Sequence, residues 1–138
     1  MQSLTLYVDG AARGNPGPAG IGAVIIDEDE NVQAEIHEYI GETTNNVAEY
    51  QALIRGLKEA EHFAPDGIKV YSDSQLLVRQ ITGAYRVKHP NLIPLYREAV
   101  ALIRSFPNFR IDHIPRQKNK RADKLANQGI DDKLGDKK

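Results

Sequence analysis

The chain has 138 residues, no cysteine and a formal net charge of −1 at pH 7. This length accommodates one domain with a full hydrophobic core and is short for two. The lack of cysteine excludes disulfides, thiolate metal sites and a cysteine nucleophile, and the near-neutral charge gives no overall sign of a polyanion partner. No leader pattern opens the chain and no apolar run reaches membrane-spanning length, so the sequence predicts a soluble cytoplasmic protein.

The N-terminal part of the chain predicts an antiparallel meander of three strands. Apolar and polar residues alternate over 4–9 with the period of two that a half-buried strand requires, and this strand ends on Asp9. The segment 10–20 is rich in Gly, Pro and Asn, which predicts a loop. The segments 21–27 and 32–40 predict the next two strands, joined by a polar turn.

The rest of the chain predicts helices that alternate with two further strands. In order they are a helix over 47–61 with a Thr or Asn cap, a strand over 68–73, helices over 74–82 and 92–105, a strand over 109–114 and a helix over 119–130. We expect a single domain over 1–130 and a charged, frayed tail over 131–138. The fold class is therefore α/β with a five-stranded mixed sheet, in which the last two strands run parallel to the first.

Acidic residues lie where the predicted strands end. Asp9 closes the first strand and Asp73 closes the fourth, so both carboxylates emerge at the same edge if these strands are neighbours. Glu49, near the start of the crossover helix, then leans over them. Oxygen ligands without Cys or a His pair suit Mg²⁺ or Mn²⁺ and argue against zinc. Any single Asp at a strand end is more often a turn or cap residue, so the prediction depends on the whole set.

Four segments that contain these acids resemble, in order, the signature segments of the type 1 ribonucleases H, the ribonuclease HI family. They are DGAARGNPGPAG at 9–20, TNNVAE at 44–49, DSQ at 73–75 and NKRADKLA at 119–126. The resemblance covers about residues 4–130 and implies a ribonuclease H-like fold. It also implies a monomeric endonuclease that hydrolyses the RNA strand of RNA–DNA hybrids with two Mg²⁺ ions and leaves 5′-phosphate and 3′-hydroxyl ends.

The resemblance further implies roles for individual residues. Four acids take the places of the family's catalytic, metal-binding residues: Asp9, Glu49, Asp73 and Asp123. Substrate contacts are implied for Gly10, Asn15, Thr44, Asn45, Asn46 and Gln75. The amide side chains offer donors and acceptors to the 2′-hydroxyl that distinguishes RNA from DNA, and glycine permits close approach of the backbone to a sugar-phosphate chain. The alternative is local, with an asparagine that caps the helix and Asn15 in a plain turn.

Two features depart from many members of this family. The loop before the last helix carries Arg116 where many members have a histidine thought to assist proton transfer or product release. We expect Arg116 to act in catalysis as a fixed cation and not as a titrating base, and we expect His113 to lie in the preceding strand. The interval between Asp73 and the last strand is short and lacks a basic, Trp-containing protrusion, so the chain is predicted to be a short form.

Other classes of protein also gather carboxylates at a sheet edge. Transposase and integrase cores, Holliday-junction resolvases and proofreading exonucleases combine such acids with two metals. The amide side chains close to the acids in the sequence favour the ribonuclease, because they supply groups that can hydrogen-bond to a sugar. A hybrid-binding module without activity would usually lack one of the acids, and all four are present. A structural domain with surface acids is the remaining alternative.

Overall fold

The computed structural model describes residues 2–134 as one five-stranded mixed sheet with helices against both faces. The strands are β1 (Ser3–Ala12), β2 (Gly17–Ile26), β3 (Val32–Thr43), β4 (Gly67–Ser72) and β5 (Phe109–His113). The helices are α1 (Asn45–Glu61), α2 (Gln75–Ile81), α3 (Ile93–Ile103) and α4 (Lys120–Leu134), and a 3₁₀ turn covers Arg116–Lys118. The strand order is β3-β2-β1-β4-β5. The β1–β2 and β2–β3 pairs are antiparallel and the β1–β4 and β4–β5 pairs are parallel, which confirms the predicted sheet.

The alternation of β1 divides its side chains between the two faces of the sheet. Leu6 and Val8 are fully buried in the main core, which also contains Leu53 of α1. Leu77 of α2 and Ala99 of α3 belong to the same core, so these three helices cover one face. α4 packs against β1, β2 and β3 from the other face. The central strand β1 is therefore enclosed by helices from both sides.

The segment 10–20 is mostly strand, and its prediction as a loop is wrong. β1 continues through Ala12 and β2 begins at Gly17, which leaves a turn over 13–16. The register of the antiparallel pair runs without interruption to the partners Ala12 and Ala19. The two strands are therefore longer than their apolar alternation indicates, and Asp9 lies inside a strand instead of at its end.

Close contacts with helices explain why these strands carry glycine. A Cβ added to Gly10 would stand 2.2 Å from the carbonyl carbon of Ala48 in α1. One added to Gly20 would stand 2.3 Å from the carbonyl oxygen of Ala126 in α4. A side chain at either position would collide with helix backbone, so glycine here permits the helices to approach the sheet closely.

The last helix is longer than predicted. The sequence predicts that this helix ends at Ile130, whereas α4 continues to Leu134. Asp131, placed in the predicted tail, forms an ion pair with Arg13, with 2.7 Å between Nη1 and Oδ1. This contact joins the helix end to the β1–β2 turn and is a tertiary feature that composition alone does not reveal. The remainder of the predicted tail, 135–138, lies outside the described residues.

Within residues 2–134, no helix combines the length and the apolar character that crossing a bilayer requires.

The close approach of α4 to the sheet can be tested at Gly22. Its Cβ would stand 2.2 Å from the carbonyl oxygen of Ala122, so Gly22→Ala is expected to lower the free energy of unfolding by about 2–3 kcal/mol. Gly67→Ala is the matched control, because its Cβ would meet the Asn108 Cβ at 3.3 Å and the expected loss is below about 1 kcal/mol. Urea unfolding of both variants measures the difference, and equal losses would contradict the tight α4 contact.

Candidate active site

The register of the parallel pair brings Asp9 and Asp73 together. The ladder between β1 and β4 ends at the partners Val8 and Ser72. Asp9 directly follows Val8 and Asp73 directly follows Ser72, so their side chains emerge side by side at the carboxyl end of β4. This is the edge at which the sequence analysis expected them.

Glu49 reaches the same place from α1. Thr44 is the N-cap of this helix, and its Oγ1 accepts a hydrogen bond from the Val47 N–H at 3.3 Å. The glycine contact described above sets α1 against β1, and the Gly10 N–H donates to Glu49 Oε1 at 3.0 Å. Glu49 is buried and lies just beyond the first turn of α1, near the start of the helix as the sequence predicts.

The carboxylates converge in an open cleft of about 480 Å³. Oxygens of Asp9, Glu49 and Asp73 lie within 4.8 Å of one another. Asp123, in the first turn of α4, is outside this group of three but lines the same cleft and contributes to the raised pKa of Asp9. All four predicted acids therefore line one cleft.

Burial and mutual repulsion disfavour the ionised forms of the acids in this cluster. Burial raises the pKa of Asp9 to about 10, and repulsion from Glu49, Asp73 and Asp123 adds to the effect. Burial also raises the pKa of Glu49 to about 8, with a further contribution from Asp73, while a backbone N–H and Arg116 act in the opposite direction. These shifts mark a site in which negative charge lacks compensation from the protein.

The donor set fits a hard divalent cation. The clustered ligand atoms are carboxylate oxygens, without a nitrogen or sulfur donor among them. Such oxygen sets suit Mg²⁺ and Mn²⁺, whereas structural zinc sites are built from Cys and His. A divalent cation would also relieve the repulsion that raises the pKa of Asp9.

Two of the candidate substrate-binding asparagines line the cleft. They are Asn45 and Asn46, at the beginning of α1. The Asn45 Oδ1 accepts from the Ala12 N–H at 2.9 Å, and the Asn45 N–H donates to Asn15 Oδ1 at 3.0 Å. Because Thr44 performs the capping, neither Asn45 nor Asn46 is the helix cap that the alternative interpretation supposed.

The other substrate candidates surround this lining. Gly10 is buried at the floor of the cleft, where its contact with α1 gives it a structural reason to be glycine. Asn15 and Thr44 support the start of α1 through the hydrogen bonds described above. Gln75 is exposed at the first position of α2, directly after Ser74, which lines the cleft.

Arg116 lies at the mouth of the cleft. Its side chain is 81% exposed, and its Nη2 is 3.9 Å from Asp123 Oδ1, so it remains free to meet a ligand. His113 is the last residue of β5 and is exposed, in the strand position expected for it.

Three further polar residues beside the acids are not among the predicted site residues. Asn127 Nδ2 donates to the Asp123 carbonyl oxygen at 3.0 Å and to its Oδ1 at 3.3 Å. Arg13 Nη2 in turn donates to Asn127 Oδ1 at 3.2 Å. Asn119 is buried beside Asp73. Asp123 and Asn127 are four residues apart on one helix, and this spacing could have indicated their contact. The contacts of Arg13 and Asn119 depend on tertiary structure.

A mixed sheet that gathers carboxylates at the end of its central parallel strands, with acids added by helices from both faces, defines the ribonuclease H-like class. A family model described as reverse transcriptase-like matches residues 7–129. The chain is 34% identical to a ribonuclease H of Pseudomonas savastanoi, with 96% of each protein covered. The chain belongs to the ribonuclease H family, which confirms the resemblance carried by its four segments.

Two further relatives are more similar in sequence. A ribonuclease HI of Halobacterium salinarum is 46% identical over 126 residues, which cover 91% of this chain and 63% of that protein. The chain therefore spans less than two thirds of that relative's length. The solved structure of LC11-RNase H1, isolated from compost, in complex with an RNA/DNA hybrid has a TM-score of 0.90 and 48% identity. The match covers 96% of this chain and 99% of the LC11-RNase H1 chain. This similarity confirms the predicted ribonuclease H-like fold.

The raised pKa values predict that the metal-free protein loses stability as the pH rises. The folded state retains protons on Asp9 and Glu49 that the unfolded chain releases near their ordinary values of 3.8 and 4.5. Their contribution to stability is full below about pH 4 and is lost as the pH rises towards about 8 for Glu49 and about 10 for Asp9. Urea unfolding in EDTA between about pH 5 and pH 9 measures the slope, at most about 1.4 kcal/mol per pH unit for each group.

Asp9→Asn is the control for this pH dependence. The amide removes one buried carboxylate, so the slope becomes shallower and the metal-free variant becomes more stable than the wild type at about pH 8, by about 1–3 kcal/mol. A wild-type stability that is independent of pH over this range, or that rises with pH, would contradict the electrostatic account.

Proposed function

We propose that this chain is an endoribonuclease that hydrolyses the RNA strand of RNA–DNA hybrids. The observation that carries the proposal is the convergence of oxygens from Asp9, Glu49 and Asp73 within 4.8 Å, with Asp123 beside them, in a cleft open to solvent. The hybrid-bound structure of LC11-RNase H1, at 48% identity, supports the choice of substrate. Cleavage leaves 5′-phosphate and 3′-hydroxyl ends.

The four carboxylates are the groups that would hold two divalent cations, with Mg²⁺ as the physiological ion and Mn²⁺ as a substitute. When bound, such cations lower the pKa of an attacking water and stabilise the negative charge that develops on the leaving oxygen. The protein's own contribution is to hold like charges together. Because Asp9 is fixed in a strand and Glu49 in a helix, these acids keep their places without a cation.

The amide side chains bind and orient the hybrid. The acceptor oxygens of Asn15 and Asn45 are engaged within the protein, so their Nδ2 groups are the donors that remain for a sugar hydroxyl. Asn46, beside them in the cleft, contributes a further amide. Gln75, Gly10 and Thr44 complete the proposed contacts, which read the 2′-hydroxyl that DNA lacks.

Arg116 supplies a permanent positive charge to a cleft whose other charged lining residues are the four acids and Arg13. A guanidinium does not release its proton at neutral pH, so Arg116 holds a phosphate oxygen and does not act as a base. Its position near Asp123 allows it to contact the scissile region of the RNA while its exposure leaves it mobile. The cytoplasmic location and the monomeric state expected from the sequence stay predictions.

A cleavage assay tests the proposed activity. Hybrid with a labelled RNA strand is incubated with Mg²⁺ or EDTA, beside an all-DNA duplex and a four-way junction. We expect cleavage of the hybrid RNA alone, and only with Mg²⁺. Asp9→Asn, which the electrostatics predict to be a stably folded variant, should reduce the rate by on the order of 10³-fold or more. Preferential cleavage of the duplex or the junction would favour the rival nuclease classes and overturn the proposal.

The role of Arg116 is tested by removal of its charge. Arg116→Ala is expected to lower kcat about 10-fold, because one charge-assisted hydrogen bond to phosphate is lost, with unchanged thermal stability. Arg116→Lys retains the positive charge but lacks the planar guanidinium group, so its kcat should lie between those of the wild type and Arg116→Ala. Steady-state kinetics on the hybrid provide the measurement, and wild-type kinetics in Arg116→Ala would make this residue an ordinary solvated side chain.

A further inference from the structure

Asn119 is a buried amide that joins the segments around the candidate site. It is 1% exposed and immediately precedes α4. Its Nδ2 donates to the Val8 carbonyl oxygen at 2.9 Å and to Asp73 Oδ2 at 3.3 Å. Both partners are acceptors, so the nitrogen and not the oxygen of the amide must face them. The two hydrogens of Nδ2 are therefore directed to a backbone carbonyl and a carboxylate.

The Val8 carbonyl oxygen lies where the pairing of β1 with β4 ends, so it needs a hydrogen-bond donor from outside that pairing. The β1–β4 ladder ends at Val8 and Ser72. Beyond that point the chain after β4 turns away, because the Ser74 N–H donates to Ser72 Oγ at 3.0 Å. Asn119 supplies the donor to Val8 and so holds the peptide unit that carries Asp9.

The backbone of the same residue reaches the fourth acid. The Asp123 N–H donates to the Asn119 carbonyl oxygen at 3.1 Å, which begins the hydrogen-bond pattern of α4. Asn119 thus contacts Asp73 directly, Asp9 through its neighbour Val8 and Asp123 through the helix backbone. Among the described residues it links three of the four segments that carry the acids.

Packing does not account for an amide at this position. Asn119 Oδ1 is buried without a hydrogen-bond partner among the described residues, whereas Nδ2 has two acceptors. An aspartate of the same shape would place acceptors against the acceptors of Val8 and Asp73. Only the donor of the amide matches its surroundings, so its function is to donate.

We infer that Asn119 is a positioning residue that fixes the Asp73 carboxylate for cation binding. The inference rests on the proposed function. The hydrogen bond from Asn119 to Oδ2 restricts the rotation of the Asp73 carboxylate, which has an oxygen within 4.8 Å of oxygens of Asp9 and Glu49. Carboxylates that bind metals are commonly held by such hydrogen bonds, and loss of one typically weakens metal affinity about 10–100-fold.

The test compares Mn²⁺ binding, followed by electron paramagnetic resonance, in the full-length protein and its variants. Asn119→Leu keeps the approximate shape but removes the donor, and Asn119→Ala is measured in its place if the leucine variant does not fold. The matched control is Gln80→Ala, which removes another buried amide, whose Oε1 accepts from the Tyr50 hydroxyl at 2.6 Å in the main core. Asp73→Asn removes the carboxylate itself.

We expect Asn119→Leu to weaken Mn²⁺ binding about 10–100-fold, while Gln80→Ala binds as the wild type does even if it is less stable. In hybrid cleavage, the Asn119 variant should have a lower kcat, an unchanged KM for the hybrid and partial recovery at high Mn²⁺ concentration. A merely structural role would not produce that recovery.

The outcomes separate the two proposals. If Asn119→Leu and Gln80→Ala bind Mn²⁺ equally well while Asp73→Asn does not, the positioning role is wrong and the proposed function stands. If the wild type neither binds Mn²⁺ nor cleaves the hybrid, the proposed function is wrong.

Discussion

Repulsion among carboxylates is the constraint on which this structure depends. Asp9 and Glu49 are buried, and each is close to other acids of the same charge. Such an arrangement raises the pKa of both groups and opposes folding at neutral pH unless a cation compensates. A fold that maintains it must derive its stability elsewhere, which here is the apolar core shared by the sheet and three helices.

Three of the four acids are held by regular secondary structure and not by loops. Asp9 lies within β1, Glu49 within α1 and Asp123 within α4, so each inherits the rigidity of its element. The helices are brought to the sheet by contacts that tolerate no side chain, as at Gly10. Asp73 differs, because it follows the end of β4, and it is the acid to which the buried Asn119 donates. The least supported acid thus receives its own hydrogen bond.

Much of this arrangement can be predicted from local sequence. Alternation over 4–9 and the Thr44 cap predict the elements, and ordered segments around the acids predict the family. The loop predicted over 10–20 is wrong because glycine is typical both of turns and of strands that contact helix backbone, and sequence does not distinguish the two. The part played by Asn119 depends on the distant partners Val8 and Asp73, which only the folded chain brings to it.

The cation site that we propose is formed by the four acids and lies beside the bound hybrid. Its most direct test is anomalous diffraction from crystals of the Asp9→Asn protein and of the wild type, each soaked with Mn²⁺ and bound to a hybrid that resists cleavage. We expect two manganese peaks among the oxygens of Asp9, Glu49, Asp73 and Asp123 in the wild type, and loss of at least one in the variant. Manganese bound away from these carboxylates, or none in the cleft, would contradict it.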